Sequence, residues 1–301
     1  MKSLKYLIKK SLLDIGNIIA SIFNKDVEKS NIPNTLSIVA IIKNEATYID
    51  EWIKYHIAVG VENFYLYDND SSDDTVSILK DYIEEGIVTL ISFPGRGKQL
   101  PAYNDAIKKF KTKTRYMAFI DADEFLYSCD TKKSVKQQVE EIFTLSPNVG
   151  GIAINWRMFG SSGHVSRPVG GVLENYLYRA KDNGKGNDCI KTIVNPRRVY
   201  KYTHPHYPTY YIGYYSIDEN GEKVNGWSHP MTEIKRLRIN PYFTKSKEEW
   251  IVRRSLGEAD HKDRSDDRTI EEFYAHDNND IYDDGMLEFV ERMKAEGEPQ
   301  Q

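Results

Sequence analysis

Leu36-Ser37-Ile38-Val39-Ala40-Ile41-Ile42 is an uncharged, almost wholly apolar run. It is short enough for a strand, and its lack of polar alternation predicts burial on both faces, as in a parallel sheet. It stops at Lys43-Asn44-Glu45, and the pattern then repeats. Residues 46–58 carry Ile49, Trp52, Ile53 and Ile57 on one helical side. Residues 64–67 form a second strand ending in Asp68-Asn69-Asp70, and 75–83 a second helix. A third strand (88–92) and a third helix (101–110) lead to a fourth strand, 116–120, which stops at Asp121. Strands alternating with helices imply a parallel sheet with right-handed crossovers. Such sheets bind ligands at the carboxyl ends of their strands. Three of these ends carry clustered polar residues: 43–45, 68–74 and 121–124.

Beyond residue 150 the alternation weakens. Residues 152–156 suit another strand, Gly160-Ser161-Ser162-Gly163-His164 a loop, and 190–245 a series of short strand-like pieces. Helical patterns return at 247–256, 269–275 and 286–295. At the other end, Leu4, Ile8, Leu12, Ile15, Ile19 and Ile22 recur at helical steps beside Lys2, Lys5, Lys9 and Lys10. Two readings stand for this amphipathic helix: it lies on an anionic membrane surface, or it docks on the body of the protein. It lacks the small-residue cleavage site of a secretory signal. Residues 24–35 read as a polar linker.

Composition bounds the function. The 301 residues are 40% hydrophobic, enough for one large core or two small ones. Apolar recurrence excludes general disorder. Cys129 and Cys189 are too few for a disulfide scaffold or a cysteine-based zinc site. No apolar stretch approaches the ~20 residues that cross a bilayer. The net charge of -4 divides into +3 over residues 1–33, +3 over the middle and -10 over residues 258–301. A generally basic nucleic-acid binder is excluded. The acidic stretch reads as a solvated helical face.

Asp121-Ala122-Asp123 follows an apolar strand. Alternate residues of extended chain point the same way, so both carboxylates can reach one cation or its water shell. A hard divalent ion there can bridge a diphosphate and improve it as a leaving group. The bland alternative is a solvated acidic turn. Asp68 is a ligand candidate for a base or ribose, while Ser72, Asp73 or Asp74 can cap the helix that follows. Arg96, Lys98 and Gln99, beside Gly95 and Gly97, suit either a phosphate-facing loop or a flexible basic one.

Several motifs combine. They are Lys43-Asn44-Glu45-Ala46, then Glu51-Trp52-Ile53-x-Tyr55-His56, then Tyr67-Asp68-Asn69-x-Ser71-x-Asp73-x-Thr75, then Ile120-Asp121-x-Asp123-Glu124-Phe125. Trp156-x2-Phe159-Gly160-Ser161-Ser162-Gly163-His164 and Tyr242-Phe243-x-Lys245-Ser246 follow. Together they resemble the bacterial glycosyltransferases grouped with family 2 and the related family 92. The resemblance implies a GT-A fold: an α/β, Rossmann-like, mostly parallel sheet flanked by helices, here with an N-terminal amphipathic helix and a helical C-terminal extension. The division it suggests is 1–33 for helix and linker, 34–245 for the GT-A domain and 246–301 for the acidic extension. Residues 34–125 would form the nucleotide-sugar half and 126–245 the acceptor half.

The resemblance also assigns roles. Lys43, Asn44, Glu45, Asp68, Gln99, Asn104, Asp121 and Lys191 would bind the donor. Asp121 and Asp123 would hold a divalent cation, Mn2+ or Mg2+. One departure stands out: family members often read Asn-His-Tyr where this chain reads Asn240-Pro241-Tyr242, and Pro cannot replace a His ligand. His204, His206 or His229 would then have to substitute, or the metal would rely on Asp123 and the diphosphate. Displacement at the anomeric carbon with inversion needs a base for the acceptor hydroxyl; the candidates are His164, Glu174, Asp188 and Asp260. A His in a loop is also commonly structural. Trp156, Phe159 and Trp227 are candidate acceptor platforms, with core packing the plainer reading.

The expected function is metal-dependent, inverting transfer of a sugar from a nucleotide diphosphate, a UDP-sugar first, to a glycan or lipid-linked acceptor in surface polysaccharide or lipopolysaccharide synthesis. The chain would work in the cytoplasm, peripheral to the inner membrane face through residues 1–23. A nucleotidyltransferase using the same acids is the alternative enzyme, although only Gly95 and Gly97 are present for a triphosphate loop. A non-catalytic nucleotide- or sugar-binding subunit is the alternative outside catalysis.

Overall fold

The structure is a computed structural model that describes residues 2–24, 32–230, 233–254 and 269–297. The chain runs through α1 (Lys2–Phe23), β1 (Asn34–Ile42), α2 (Ile49–Ala58), β2 (Asn63–Asp68), α3 (Thr75–Ile78), α4 (Lys80–Glu84), β3 (Val88–Ser92) and α5 (Gln99–Phe110). It continues through β4 (Thr114–Phe119), β5 (Glu124–Ser128), α6 (Val135–Phe143), β6 (Val149–Asn155), α7 (Val172–Asn175), β7 (Tyr178–Arg179), β8 (Ile190–Val194), β9 (Val199–Tyr202) and β10 (Pro208–Tyr210). The last elements are β11 (Tyr215–Ile217), β12 (Lys223–Val224), β13 (Leu237–Pro241), α8 (Lys247–Arg254), α9 (Ile270–His276), β14 (Ile281–Tyr282) and α10 (Leu287–Gly297).

Eight strands form one sheet in the order β12-β11-β6-β8-β4-β1-β2-β3. The β3-β2-β1-β4 block is parallel throughout, with Ile42 of β1 level with Asp68 of β2, and Asp68 level with Ser92 of β3. All the polar strand ends therefore emerge on one edge. β8 runs antiparallel between β4 and β6, which carries Lys191 back to that edge. A small ladder pairs β13 with β5, setting Pro241 opposite Glu124.

The continuous apolar run of β1 has a direct explanation. Leu36, Ile38, Ala40 and Ile42 pack with Trp52 and Ile53 of α2 on one face. Val39 and Ile41 pack with Ala102, Tyr103, Ala106 and Ile107 of α5 on the other. Both faces are covered, so no polar alternation is needed.

Element boundaries shift for local reasons. The helix expected over 75–83 divides at Leu79, whose ψ flattens to -8° while its N–H still bonds Thr75. The third helix begins at Gln99, ahead of Pro101. Proline costs nothing there, because first-turn N–H groups have no intrahelical acceptor. The expected cap of α3 is also redistributed. Asp73 accepts from Thr75 N–H (3.0 Å) and from Ala46 N–H (3.1 Å), stitching the second strand end to the first.

α1 lies against the body through its polar edge. Asn17 Nδ2 donates to the Tyr210 carbonyl (3.0 Å), Ile212 N–H to Ser21 Oγ (3.0 Å) and Asn24 Nδ2 to the Arg197 carbonyl (3.3 Å). Leu12, Ile15, Ile19, Ile22 and Phe23 stay exposed. Among the described residues no helix is long and apolar enough to cross a membrane. At the other end Asp283 accepts from Arg179 (2.6 Å) and from both Nη atoms of Arg238 (2.8 and 2.9 Å), fastening β14 to the core.

Candidate active site

The loops after β1, β2 and β3 are clasped by short polar side chains. Asn44 sits at φ 54°, a left-handed conformation that Asn tolerates better than most residues. There its Oδ1 accepts from Ser72 N–H (2.7 Å), while its own N–H donates to Ser71 Oγ (3.0 Å). Glu45 N–H donates to Thr75 Oγ1 (2.8 Å), and Asn69 Nδ2 to the carbonyls of Phe93 and Gly95 (2.9 and 2.7 Å). Asp68, at the end of β2, is 9% exposed and accepts from Ser71 N–H.

Beyond β4 the carboxylates meet cations. Asp121 Oδ2 receives Lys191 Nζ at 2.8 Å, and Asp121 Oδ1 receives Gln99 Nε2 at 2.9 Å. Glu124 accepts from Asp121 N–H (3.0 Å), with Lys191 Nζ 3.8 Å away. Lys191 is 1% exposed. Burial by itself would lower its pKa, but Asp121 and Glu124 hold the ammonium well above its ordinary value. Glu124 shares that one ammonium with Asp121, and burial pushes its carboxyl well up.

Asp123 is met by the Arg253 guanidinium, which also lies 3.6 Å from Glu45. Burial would depress Arg253; the Asp123 and Glu45 carboxylates more than offset it. Glu45 is itself raised by burial, against the pull of Arg253 and Lys245. Lys245 adopts φ 50° and stands over the Tyr48 ring at 4.6 Å, its pKa lowered by burial. Glu249, one turn before Arg253 on α8, accepts from Tyr48 OH and Tyr176 OH (both 2.6 Å), and from Ser246 Oγ (2.6 Å).

Glu45, Tyr48, Lys245, Glu249 and Arg253 line a cleft of about 380 Å³. Its lining includes Lys43, Arg167, Lys245 and Arg253 as cations and Glu45, Glu248 and Glu249 as acids. Lys43, Asn44, Glu45, Asp68, Gln99, Asp121, Asp123 and Lys191 all belong to the strand-end edge. Asn104 does not: its amide is spent on the main chain of Leu100 and Tyr202. Sequence reasoning gave no role to Tyr48, Arg167, Lys245, Glu249 or Arg253. The Phe243-x-Lys245-Ser246 motif and the i, i+4 spacing of Glu249 and Arg253 were the available signals.

The base candidates are dispersed. His164 Nε2 lies 3.1 Å from the Asn175 carbonyl, its ring edge-on to Tyr176. Glu174 caps its own helix through Gly171 N–H (3.0 Å) and pairs with Lys294, which lowers its pKa. Asp188 is exposed, accepts from Ser228 Oγ (2.7 Å), and lies three residues before Lys191. Asp260 lies outside the described residues. The Trp156 ring lies tilted against His206, centroids 5.3 Å apart, and Trp227 is 48% exposed.

The donor set does not suit the divalent cation that the sequence led us to expect. Asp121 and Asp123 are each engaged by a cation of the chain, and Pro241 offers no side-chain ligand. His206 bonds the Ile190 carbonyl (2.7 Å), with its pKa pushed down to about 3 by burial, and His229 faces Asp218 at 3.5 Å. Among the described residues no group of three or more His, Cys, Asp or Glu is arranged to hold a metal ion.

An α/β sheet whose polar strand ends gather on one carboxyl edge is of the class that binds its ligands at that edge. The chain belongs to glycosyltransferase family 92, whose model matches residues 38–272. It is 22% identical over 263 residues to a family 92 protein of Oryza sativa subsp. japonica, covering 86% of this chain and 44% of that one. A family 92 protein of Arabidopsis thaliana is 23% identical over 246 residues, covering 78% and 42%. The chain thus spans less than half the length of these curated relatives. Among solved structures, residues 1–349 of S. aureus TarS align with a TM-score of 0.34 at 14% identity, covering 54% of this chain and 47% of that one.

Proposed function

We propose that this chain transfers a sugar from a nucleotide diphosphate to a hydroxyl of a glycan or lipid-linked glycan, in surface-glycan synthesis. One observation carries the reading. In a family 92 chain, the three polar strand ends and Lys191 converge on one edge, beside a cleft lined by four cations. Asp68 serves the base or ribose, and Lys43 and Asn44 border the nucleotide. Lys191, aligned by Asp121 and Glu124, faces the diphosphate. A UDP-sugar is the first donor to test.

Transfer proceeds by a single displacement with inversion. The acceptor oxygen bonds to the anomeric carbon as the bond to the phosphate oxygen breaks. That electron pair leaves with the nucleotide diphosphate, and the acceptor proton passes to a base. Asp188 takes this role best. It is solvent-open and close in sequence to Lys191, whereas Glu174 is committed to its cap and ion pair. Trp156 and Trp227 supply apolar faces for the acceptor. The exposed row of α1, with Lys9 and Lys10, lies on an anionic lipid surface on the cytoplasmic side.

The test is donor turnover in Asp121→Asn and Asp123→Asn. Both are expected to fold and to lose release of nucleotide diphosphate by at least about a hundredfold, the scale of a lost electrostatic contact in a closed site. Unchanged turnover in both refutes the assignment.

A further inference from the structure

The strand-end carboxylates carry cations from distant parts of the chain, and one of these cations sits on Asp123, a carboxylate that the family resemblance assigned to a divalent ion. Arg253 arrives from α8 and engages Asp123, 130 residues away. It spans to Glu45 at the end of β1, so a single guanidinium joins the first and fourth strand ends. Lys245 borders the same cleft, and Lys191 holds Asp121 behind it.

Charge and geometry both favour an anion here. The cleft itself is lined by Lys43, Arg167, Lys245 and Arg253, against Glu45, Glu248 and Glu249. A guanidinium carries five N–H donors, more than two carboxylates consume, in a fork that matches phosphate oxygens. A divalent ion would instead need several oxygen ligands and would have to strip Asp123 from its guanidinium. At the Asn240-Pro241-Tyr242 position, a residue whose ring carries no ligand atom, Pro241 pairs opposite Glu124.

Resting on the nucleotide-sugar reading above, we propose that Arg253, supported by Lys245, takes the place of the divalent cation against the donor's diphosphate. The chain then binds a nucleotide diphosphate without metal.

The experiment is calorimetric titration of UDP into the full chain, in EDTA and in Mn2+. The wild-type Kd is expected to change less than about threefold between the two. Arg253→Ala should weaken binding in EDTA by about ten- to a hundredfold, the size of one or two charge-assisted hydrogen bonds. Mn2+ should recover part of that loss, because Asp123 is then open to the ion, and Arg253→Lys should fall between the two. A tenfold or greater loss of wild-type affinity on chelation overturns the proposal, and that arm requires no variant. So does Arg253→Ala binding UDP in EDTA as tightly as wild type. Absence of binding to UDP and to other nucleoside diphosphates in both buffers overturns the nucleotide-sugar reading itself, and this proposal with it.

Discussion

Replacing Lys191 with Met removes the one ammonium shared by Asp121 and Glu124 while keeping the length and apolar stem of the side chain. The ammonium is 2.8 Å from Asp121 and 3.8 Å from Glu124, and the lysine is 1% exposed. Removing one partner of a buried pair costs about 3–5 kcal/mol. Asp121 is 34% exposed and water compensates part of its charge, so the lower end, about 3 kcal/mol, applies. At about 2 °C per kcal/mol this lowers the Tm by ~6 °C. The loss should depend on pH. In the variant, the buried Glu124 carboxyl, raised by burial and now without its ammonium, ionises at higher pH than the ~4 of the unfolded chain. The native state then binds more protons than the unfolded one, so its stability falls as pH rises through that window. Urea unfolding at pH 5 and pH 8 should show a deficit larger at pH 8 by at least ~1 kcal/mol, less than the ~1.4 kcal/mol that a tenfold change in the acidity of one carboxyl is worth. Adding Glu124→Gln should recover part of the pH 8 deficit. A deficit equal at both pH values, or below ~1 kcal/mol, refutes the reasoning.

Two further outcomes follow from other parts of the fold. His56 is fully buried between Trp52 O (2.8 Å from Nδ1) and Leu126 N–H (3.2 Å from Nε2), and burial lowers its pKa to about 3. Its neutral form stabilises the fold above pH 6.5. That contribution is lost as pH falls below 6.5, by up to about 1.4 kcal/mol per pH unit, so urea unfolding of His56→Phe should be less stable at pH 7 but shallower in pH than wild type. The exposed row of α1 predicts sedimentation with anionic phosphatidylglycerol vesicles; Leu12→Ser, Ile15→Ser and Ile19→Ser together should abolish it without changing the melting temperature by more than a few degrees. Equal sedimentation of the triple variant would favour α1 as a helix that only docks.

How much of this was legible in the sequence differs by range of contact. β1 was readable because Leu36 to Ile42 are buried on alternate faces by neighbouring helices, which leaves a signature within seven residues. The gathering of acids at strand ends followed from the parallel alternation alone. The cations that meet those acids were not readable as partners. Lys191 reaches Asp121 across 70 residues and Arg253 reaches Asp123 across 130, and no local pattern encodes either pairing. Residues 247–254 announced a helix, but not that Glu249 and Arg253 face the cleft. Asn104 illustrates the reverse. The family resemblance assigned it to the donor, whereas the return of β9 beside α5 claims its amide for the Tyr202 main chain.

The central claim is donor chemistry, and the most direct measurement is release of nucleoside diphosphate from a panel of nucleotide sugars, with and without acceptor glycans. The account predicts release from at least one donor by the wild-type chain, stimulated by an acceptor hydroxyl and abolished in Asp121→Asn. A folded wild-type chain that neither binds nor turns over any nucleotide sugar in the panel would contradict it.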